Sequence, residues 1–223
     1  MLSIVSTPIG NLGDITLRAL ETLKECDAIV CEDTRVTGKL LQMLDLPKKE
    51  LISLHGYSDT KKINAILKRL AEGAHLALVS DAGTPCISDP GYQLVSVALR
   101  QGDTHQVEVI PGPSAFLAAL SASGLPINQF LYLGFLPLKK GRQTLLASFT
   151  EEKRTIVFYE SVHRIEKTLR ELVGALRDQP NRDIVICREL TKMHEEILRT
   201  TVAELASISL TQKGEFVIVI GAV

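Results

Sequence analysis

The stretch LALVSDAGTPCISDPGYQLVSVALR, Leu76–Arg100, decides the fold class. Its first residues are apolar and uncharged, as in a short buried strand. Ser80–Gly91 is built almost wholly from small, turn-forming and hydroxyl residues. A helix follows, with Leu94, Val95, Ala98 and Leu99 on one face. Asp89 suits its N-cap and Pro90 its first turn. A strand, a tight loop and a helix in succession predict a crossover unit of a parallel sheet.

The same unit recurs on both sides. Upstream, Leu2–Ser6 reads as a strand, TPIGNLG as a loop, and Asp14 as the cap of a helix running to about Glu25. AIVC (28–31) is a second strand and EDTR (32–35) its loop; Leu40, Leu41 and Leu44 stripe the next helix, and LISL (51–54) is a third strand. Asp59–Glu72 carries Ile63, Ile66, Leu67 and Leu70 at helical spacing, with Gly73 placed to end it. Downstream, VEVI and PGPSAFLAALSASG (107–124) repeat the pattern. After that, LYLGFL, TIVFYE, IVICRE, EILRT and EFVIVIG read as strands, with helices at about Gly141–Phe149, Val162–Leu176 and Val202–Ile208. Fewer helices between strands imply a mixed sheet. The expectation is two α/β domains with a cleft between them: a mostly parallel one over 1–123 and a mixed one over 124–223. The turn-rich SASGLPINQ (121–129) is the hinge.

Composition narrows the function classes. Of 223 residues, 45% are hydrophobic and 23% charged, which argues against disorder. No apolar run is long enough to span a bilayer, and MLSIVSTPIG lacks the basic start of a signal peptide. Cys26, Cys31, Cys86 and Cys187 form no C-x-x-C pair and read as reduced thiols of a cytoplasmic protein, with no metal site expected. A net charge of −1 gives no global attraction to a polyanion, so a nucleic-acid substrate requires a local basic patch.

Three strand ends carry dense turn chemistry: STPIGNLGD, SDAGTPCISDPG and PGPSA. Open parallel sheets bind ligands outside the carboxyl ends of their strands. Glycine admits close backbone approach and proline fixes loop shape, so three such loops point to one small-molecule site; ordinary turn composition is the rival explanation. The dinucleotide fingerprint is absent: Gly10 and Gly13 stand alone, with Pro8 before them. No phosphate-loop G-x-x-x-x-G-K-[ST] occurs. EDTR places Glu32, Asp33 and Arg35 at a strand end, either as reactive groups or as a helix start. Glu160, His163, Arg164, Arg188, Glu189 and Lys192 are either cleft charges or a salt-bridge network. Lys139, Lys140 and Arg142 are either a solvated loop or an arm contacting phosphate. His55, His75, His105 and His194 are read as solvated or structural.

Seven blocks occur in order: STPIGNLGDITLRAL, CEDTRVTGKLL, SDAGTPCISDPG, PGPSAFLAALSASGLP, GFLPLKKG, FYESVHRI and RELTKMHEEI. Together they resemble the tetrapyrrole-methylase superfamily, most closely its ribosomal RNA branch. The resemblance implies S-adenosylmethionine as methyl donor and a homodimer. It also implies methylation of a cytidine ribose 2′-hydroxyl in the decoding region of small-subunit (16S) rRNA, on the RNA or the 30S subunit. It places the cofactor against Pro8, Ile9, Ser80, Asp81, Ala82, Gly83, Thr84, Ser114 and Ala115, and against Tyr159, Leu190 and Glu215. Glu32 and Asp33 are candidate bases, with Arg35 orienting the acid or a phosphate. Departures exist. GYSD follows His55 where the branch has a polar run, Val162 replaces a proline, and the branch continues beyond the last strand whereas this sequence stops at Val223. A methyltransferase of a tetrapyrrole or other small molecule, and a non-catalytic cofactor-binding module, remain as alternatives.

Overall fold

A computed structural model describes residues 1–55, 60–89, 91–100 and 107–223. GYSD (56–59), Pro90 and His105 lie outside the described residues. The chain divides into two compact units, Met1–Ser114 and Ala115–Val223.

The first unit alternates strand and helix: β1 (Leu2–Val5), α1 (Leu17–Glu25), β2 (Ala28–Cys31), α2 (Thr34–Met43), β3 (Glu50–Ser53), α3 (Thr60–Ala71), β4 (Leu76–Leu78), α4 (Tyr92–Arg100) and β5 (Val107–Ile110). The strands form one parallel sheet in the order β3-β2-β4-β1-β5. Strand alternation divides its core in two. Leu2, Val30, Leu76 and Leu78 pack with the stripe Ile63, Ile66, Leu67 and Leu70 of α3 and with Leu94 of α4. Val5, Ile29, Cys31 and Ala77 pack on the other face with Ala19 and Leu23 of α1 and Leu41 of α2. Burial on both faces is why the central β2 and β4 are continuously apolar. Gly73 closes α3 at φ 92°, and the Ala74 amide donates back to the Arg69 carbonyl at 3.0 Å. Two caps differ from expectation. α4 begins at Tyr92, with the Val95 amide donating to the Gly91 carbonyl at 3.0 Å, so Asp89 precedes the cap position. Asp14 lies within a 3-10 turn, Leu12–Asp14, that Asn11 caps, and α1 starts later, where the Thr16 hydroxyl accepts from the Ala19 amide at 3.1 Å.

The second unit comprises α5 (Ala115–Ser123), β6 (Phe130–Phe135), α6 (Arg142–Ser148), β7 (Thr155–Ser161), α7 (Ile165–Ala175), β8 (Asp183–Arg188), β9 (Glu196–Thr201), α8 (Val202–Leu205) and β10 (Glu215–Ile220). Its sheet runs β6-β7-β10-β8-β9; β6 and β7 are parallel and the remaining pairs antiparallel, the mixed sheet expected. Phe149, Phe158, Leu172, Ile186, Phe216 and Ile218 anchor its core. The β6–β7 register slips between Tyr132 and Phe135, so that Tyr132 pairs with Val157 but Phe135 pairs with Tyr159. Gly134, at φ 59°, accommodates this bulge. No helix among the described residues is long and apolar enough to cross a membrane.

Candidate functional site

In the first unit, strand order brings the turn-rich loops to one edge. β1 lies between β4 and β5, so the loops after these three strands are neighbours. Side chains and backbone then join them. The Thr7 amide donates to the Gly83 carbonyl at 2.9 Å, and the Gly83 amide to the Thr7 carbonyl at 3.0 Å. The Ser6 and Thr84 hydroxyls are 3.0 Å apart, and Thr84 donates onward to the Pro113 carbonyl at 3.0 Å. The Ser80 hydroxyl donates to the Ala82 carbonyl at 3.2 Å, tightening the turn. Gly83 has φ 78°, and a Cβ there would sit 3.3 Å from Ile9 Cγ2. At Gly112 the crowding is greater: a Cβ would lie 2.8 Å from the Cβ of Ser6.

Thus Pro8, Ile9, Ser80, Asp81, Ala82, Gly83 and Thr84 share one rim, with Ser114 immediately after the Pro113 carbonyl. Pro8, Ile9, Ser80 and Gly83 are buried; Asp81 and Ala82 are exposed, and Ser114 and Ala115 are half-buried. The rim is built largely from short side chains and backbone, with Gly83 and Gly112 where a Cβ would crowd Ile9 and Ser6.

Carboxylates flank this rim because β2 is next to β4. The Asp33 amide donates to Asp81 Oδ1 at 3.1 Å. Asp33 caps α2 by accepting from the Arg35 amide at 2.8 Å, and it also takes the Arg35 guanidinium, with Nη2 to Oδ2 at 2.6 Å. Those Arg35 bonds hold the Asp33 carboxyl at a pKa of about 2. Glu32 is the opposite case. Burial raises its pKa, and the charges of Asp81 and Asp89 raise it further. Asp89 is itself raised by burial, against a lowering hydrogen bond from Ser80. The adjacent carboxyls are therefore separated in basicity: Asp33 is engaged and weakly basic, whereas Glu32 is the stronger proton acceptor.

The second-unit positions lie at one end of that unit's sheet. Tyr159 pairs with Val217, Phe216 pairs with Arg188, and the Glu189 amide donates to the Glu215 carbonyl at 3.0 Å. Lys192 Nζ bridges Glu189 and Glu215, at 2.9 Å to each. Burial pushes the Glu189 carboxyl up, but bonds from Lys192 and the Glu215 amide outweigh it and leave the pKa lowered. Glu189 and Thr191 adopt φ 51° and 65°, around the buried Leu190. Non-glycine residues held in this region mark a turn fixed by its surroundings.

Arg142 corrects the phosphate-arm reading of its cluster. Its side chain is 4% exposed. It donates to Glu171 Oε2 at 2.7 Å, Thr168 Oγ1 at 2.7 Å and the Pro137 carbonyl at 3.1 Å. Lys139 and Lys140 stay exposed. Glu160 and Arg164 are paired at 2.8 Å, with the Glu160 carboxylate fully buried, so this part of the charge set is an internal network.

Sequence reasoning placed the loops containing Ser6, Gly112, Pro113 and Asp89 at one site but did not single out these residues, and it gave Asp89 individually only a capping role. The interleaving of STP, SDAGTP and PGPS at neighbouring strands was the available signal.

The chain as a whole is similar to known proteins. The family model described as Tetrapyrrole (Corrin/Porphyrin) Methylases matches residues 1–206. A ribosomal RNA small subunit methyltransferase I from Thermotoga maritima is 48% identical over 206 residues, covering 92% of this chain and 90% of the relative. A protein of the same name from Escherichia coli O157:H7 is 46% identical over 224 residues, covering 98% of this chain and 77% of the relative. Among solved structures, a cobalt precorrin-4 methyltransferase has TM-score 0.69 at 21% identity, covering 99% of this chain and 94% of its own. A uroporphyrin-III C-methyltransferase from Thermus thermophilus, complexed with S-adenosyl homocysteine, has TM-score 0.65 at 20% identity, covering 98% of this chain and 96% of its own.

Proposed function

Because the chain belongs to the tetrapyrrole (corrin/porphyrin) methylase family, we propose that it uses S-adenosylmethionine to methylate small-subunit ribosomal RNA. The acceptor in this reading is the ribose 2′-hydroxyl of a cytidine in the decoding region. The observation that carries it is the rim at the carboxyl ends of β4, β1 and β5, where hydrogen bonds join three loops of small residues. The RNA branch is supported by identities of 43–48% to proteins named for ribosomal RNA. The corrin and porphyrin enzymes share about 20% identity and support the fold alone.

The residues fit the cofactor. Ser80, Ala82, Gly83, Thr84 and Ser114 offer backbone and hydroxyl groups without bulk, while Asp81 and Asp89 supply negative charge suited to a cationic ligand. When bound, S-adenosylmethionine supplies a methyl group already activated on sulfonium. The chain's task is then to orient the acceptor, exclude water and remove the hydroxyl proton. Glu32 takes that proton. Asp33 and Arg35 form a fixed pair beside it, which positions the start of α2 and orients the acceptor. Tyr159, Leu190 and Glu215 are proposed as further cofactor contacts, and the enzyme as a cytoplasmic homodimer.

Calorimetry with S-adenosylmethionine, combined with methyl transfer to undermethylated small ribosomal subunits and mass mapping of the product, tests the reading. Binding with transfer to one cytidine is expected. Binding without transfer to subunits, but with transfer to a tetrapyrrole, would favour the small-molecule alternative; binding with no transfer at all would leave a non-catalytic module. The rim makes its own prediction. Gly112→Ala places a methyl group 2.8 Å from the Cβ of Ser6, so the loops after β1 and β5 must separate. Cofactor affinity should fall about tenfold or more, on the scale of a typical overpacking cost, while the circular dichroism spectrum stays unchanged. Undiminished affinity would remove this pair of loops from the site.

A further inference from the structure

We propose that an aromatic row on the β6–β7 side of the second unit stacks a nucleobase of the RNA substrate, with Phe135 as its exposed face; this rests on the ribosomal RNA reading above. The chain has 6 Phe, 4 Tyr and no Trp. Half of these rings, Phe130, Phe116, Tyr132, Tyr159 and Phe135, form one continuous row. Successive centroids are 6.1, 4.4, 5.7 and 5.5 Å apart. Three of the remaining rings, Phe149, Phe158 and Phe216, fill the core. The row is therefore a second aromatic assembly, and it is open at its ends: Phe135 is 55% exposed and Phe130 36%.

The exposure of Phe135 follows from the bulge. In an unbroken register Gly134 would pair with Tyr159, and Phe135 would pair with Glu160, on the face that carries the buried Phe158. The slip at Gly134 instead pairs Phe135 with Tyr159 and turns it to the aromatic face. Bulges commonly re-aim a side chain in this way. The chain thus forgoes burial of a phenyl ring at this position.

The segment after Phe135 is held rigidly. Arg164 donates to the Leu136 carbonyl at 3.0 Å and Arg142 to the Pro137 carbonyl at 3.1 Å. Beyond this clamp, Leu138, Lys139 and Lys140 are exposed. An exposed ring followed in the chain by exposed amines supplies the two kinds of group that hold single-stranded RNA: rings stack bases and cations meet phosphates. A lone apolar patch would not explain the lysines, and a lone phosphate site would not explain the ring.

The test uses the full chain with Phe135→Ala and Phe135→Trp. The probes are undermethylated small ribosomal subunits and a short single-stranded RNA carrying 2-aminopurine. Phe135→Ala should raise KM for subunits about tenfold, the loss expected for one stacked base, with kcat and S-adenosylmethionine Kd unchanged. Phe135→Trp should restore KM. Quenching of 2-aminopurine should occur with the wild type and Phe135→Trp and be lost with Phe135→Ala. The proposal is overturned if KM does not move. It is also overturned if S-adenosylmethionine affinity falls instead, which would give the ring to the cofactor, or if the oligomeric state changes, which would give it to a second copy. Should the wild type fail to methylate subunits, the ribosomal RNA reading fails, and the 2-aminopurine signal alone decides whether the row stacks bases.

Discussion

Glu32→Gln should lower kcat by about 10²–10⁴-fold, the usual worth of a positioned general base, while S-adenosylmethionine affinity stays within about twofold. Stopped-time transfer assays on small subunits, paired with calorimetry, separate the two quantities. The expectation rests on the contrast between adjacent carboxyls. Asp33 is engaged by the Arg35 amide and guanidinium and held at about 2, which makes it a poor base. Glu32 is raised by burial and by Asp81 and Asp89. Asp33→Asn should consequently cost less than about tenfold in kcat, beyond any loosening of the α2 cap. Equal, near-normal turnover in both variants would remove this strand end from the chemistry.

The raised pKa gives this prediction a pH dependence with a definite sign. Glu32 must be ionised to accept a proton, so kcat should fall as pH drops through its raised folded-state value. That limb lies above the ordinary glutamate range of about 4.3, and it should vanish in Glu32→Gln. Stability runs the other way. A carboxyl whose folded pKa is raised contributes stability that is complete below its unfolded pKa and lost as pH rises through the folded one. At neutral pH the ionised Glu32 is therefore a cost to folding, and Glu32→Gln should melt no lower than the wild type. A group that lowers stability where it is catalytically competent is the pattern expected of an active site.

Arg142→Ala should destabilise the protein by about 3–5 kcal/mol, the range for breaking a buried ion pair, and lower Tm by roughly 10 °C for a chain of this size. Removing the guanidinium takes a donor from Thr168 and the Pro137 carbonyl and leaves Glu171 with only Gln143 and the distant Lys167. It also takes away a positive charge 3.8 Å from the fully buried Glu160. Arg164 and Ser161 remain on Glu160, which keeps the loss from being larger. Differential scanning calorimetry measures the effect. Lys139→Ala, at an exposed position, should leave Tm unchanged. An Arg142→Ala protein of normal Tm with weakened RNA binding would reinstate the phosphate contact for this residue.

Local pattern made much of the fold legible. AIVC had to be buried on both faces, and Ile63, Ile66, Leu67 and Leu70 could form only a helical stripe. The meeting of three loops also followed from strand–helix alternation, because parallel crossovers put every such loop on the same sheet edge. Features set by distant partners were not legible. Arg142 resembles its lysine neighbours in sequence, and its burial depends on Thr168 and Glu171, 26 and 29 positions away. Asp14 satisfies the preference for an N-cap, but Thr16 supplied the cap instead. Simple alternation would have sent Phe135 to the wrong face, because the slip at Gly134 appears only when β6 is paired with β7. The difference in basicity between Glu32 and Asp33 required knowing that Glu32 is partly buried, with Asp81 and Asp89 near it, and that Arg35 turns back onto Asp33.

The reciprocal backbone pair between Thr7 and Gly83 has a dynamic consequence. Both amides belong to loops, yet each is bonded to the other residue's carbonyl and both residues are buried. Their hydrogens should exchange with deuterium at rates nearer those of strand interiors than of neighbouring turn residues such as Asp81 and Ala82. One amide cannot be released without loosening the segment that holds the other, so the two protection factors should fall together as denaturant is added.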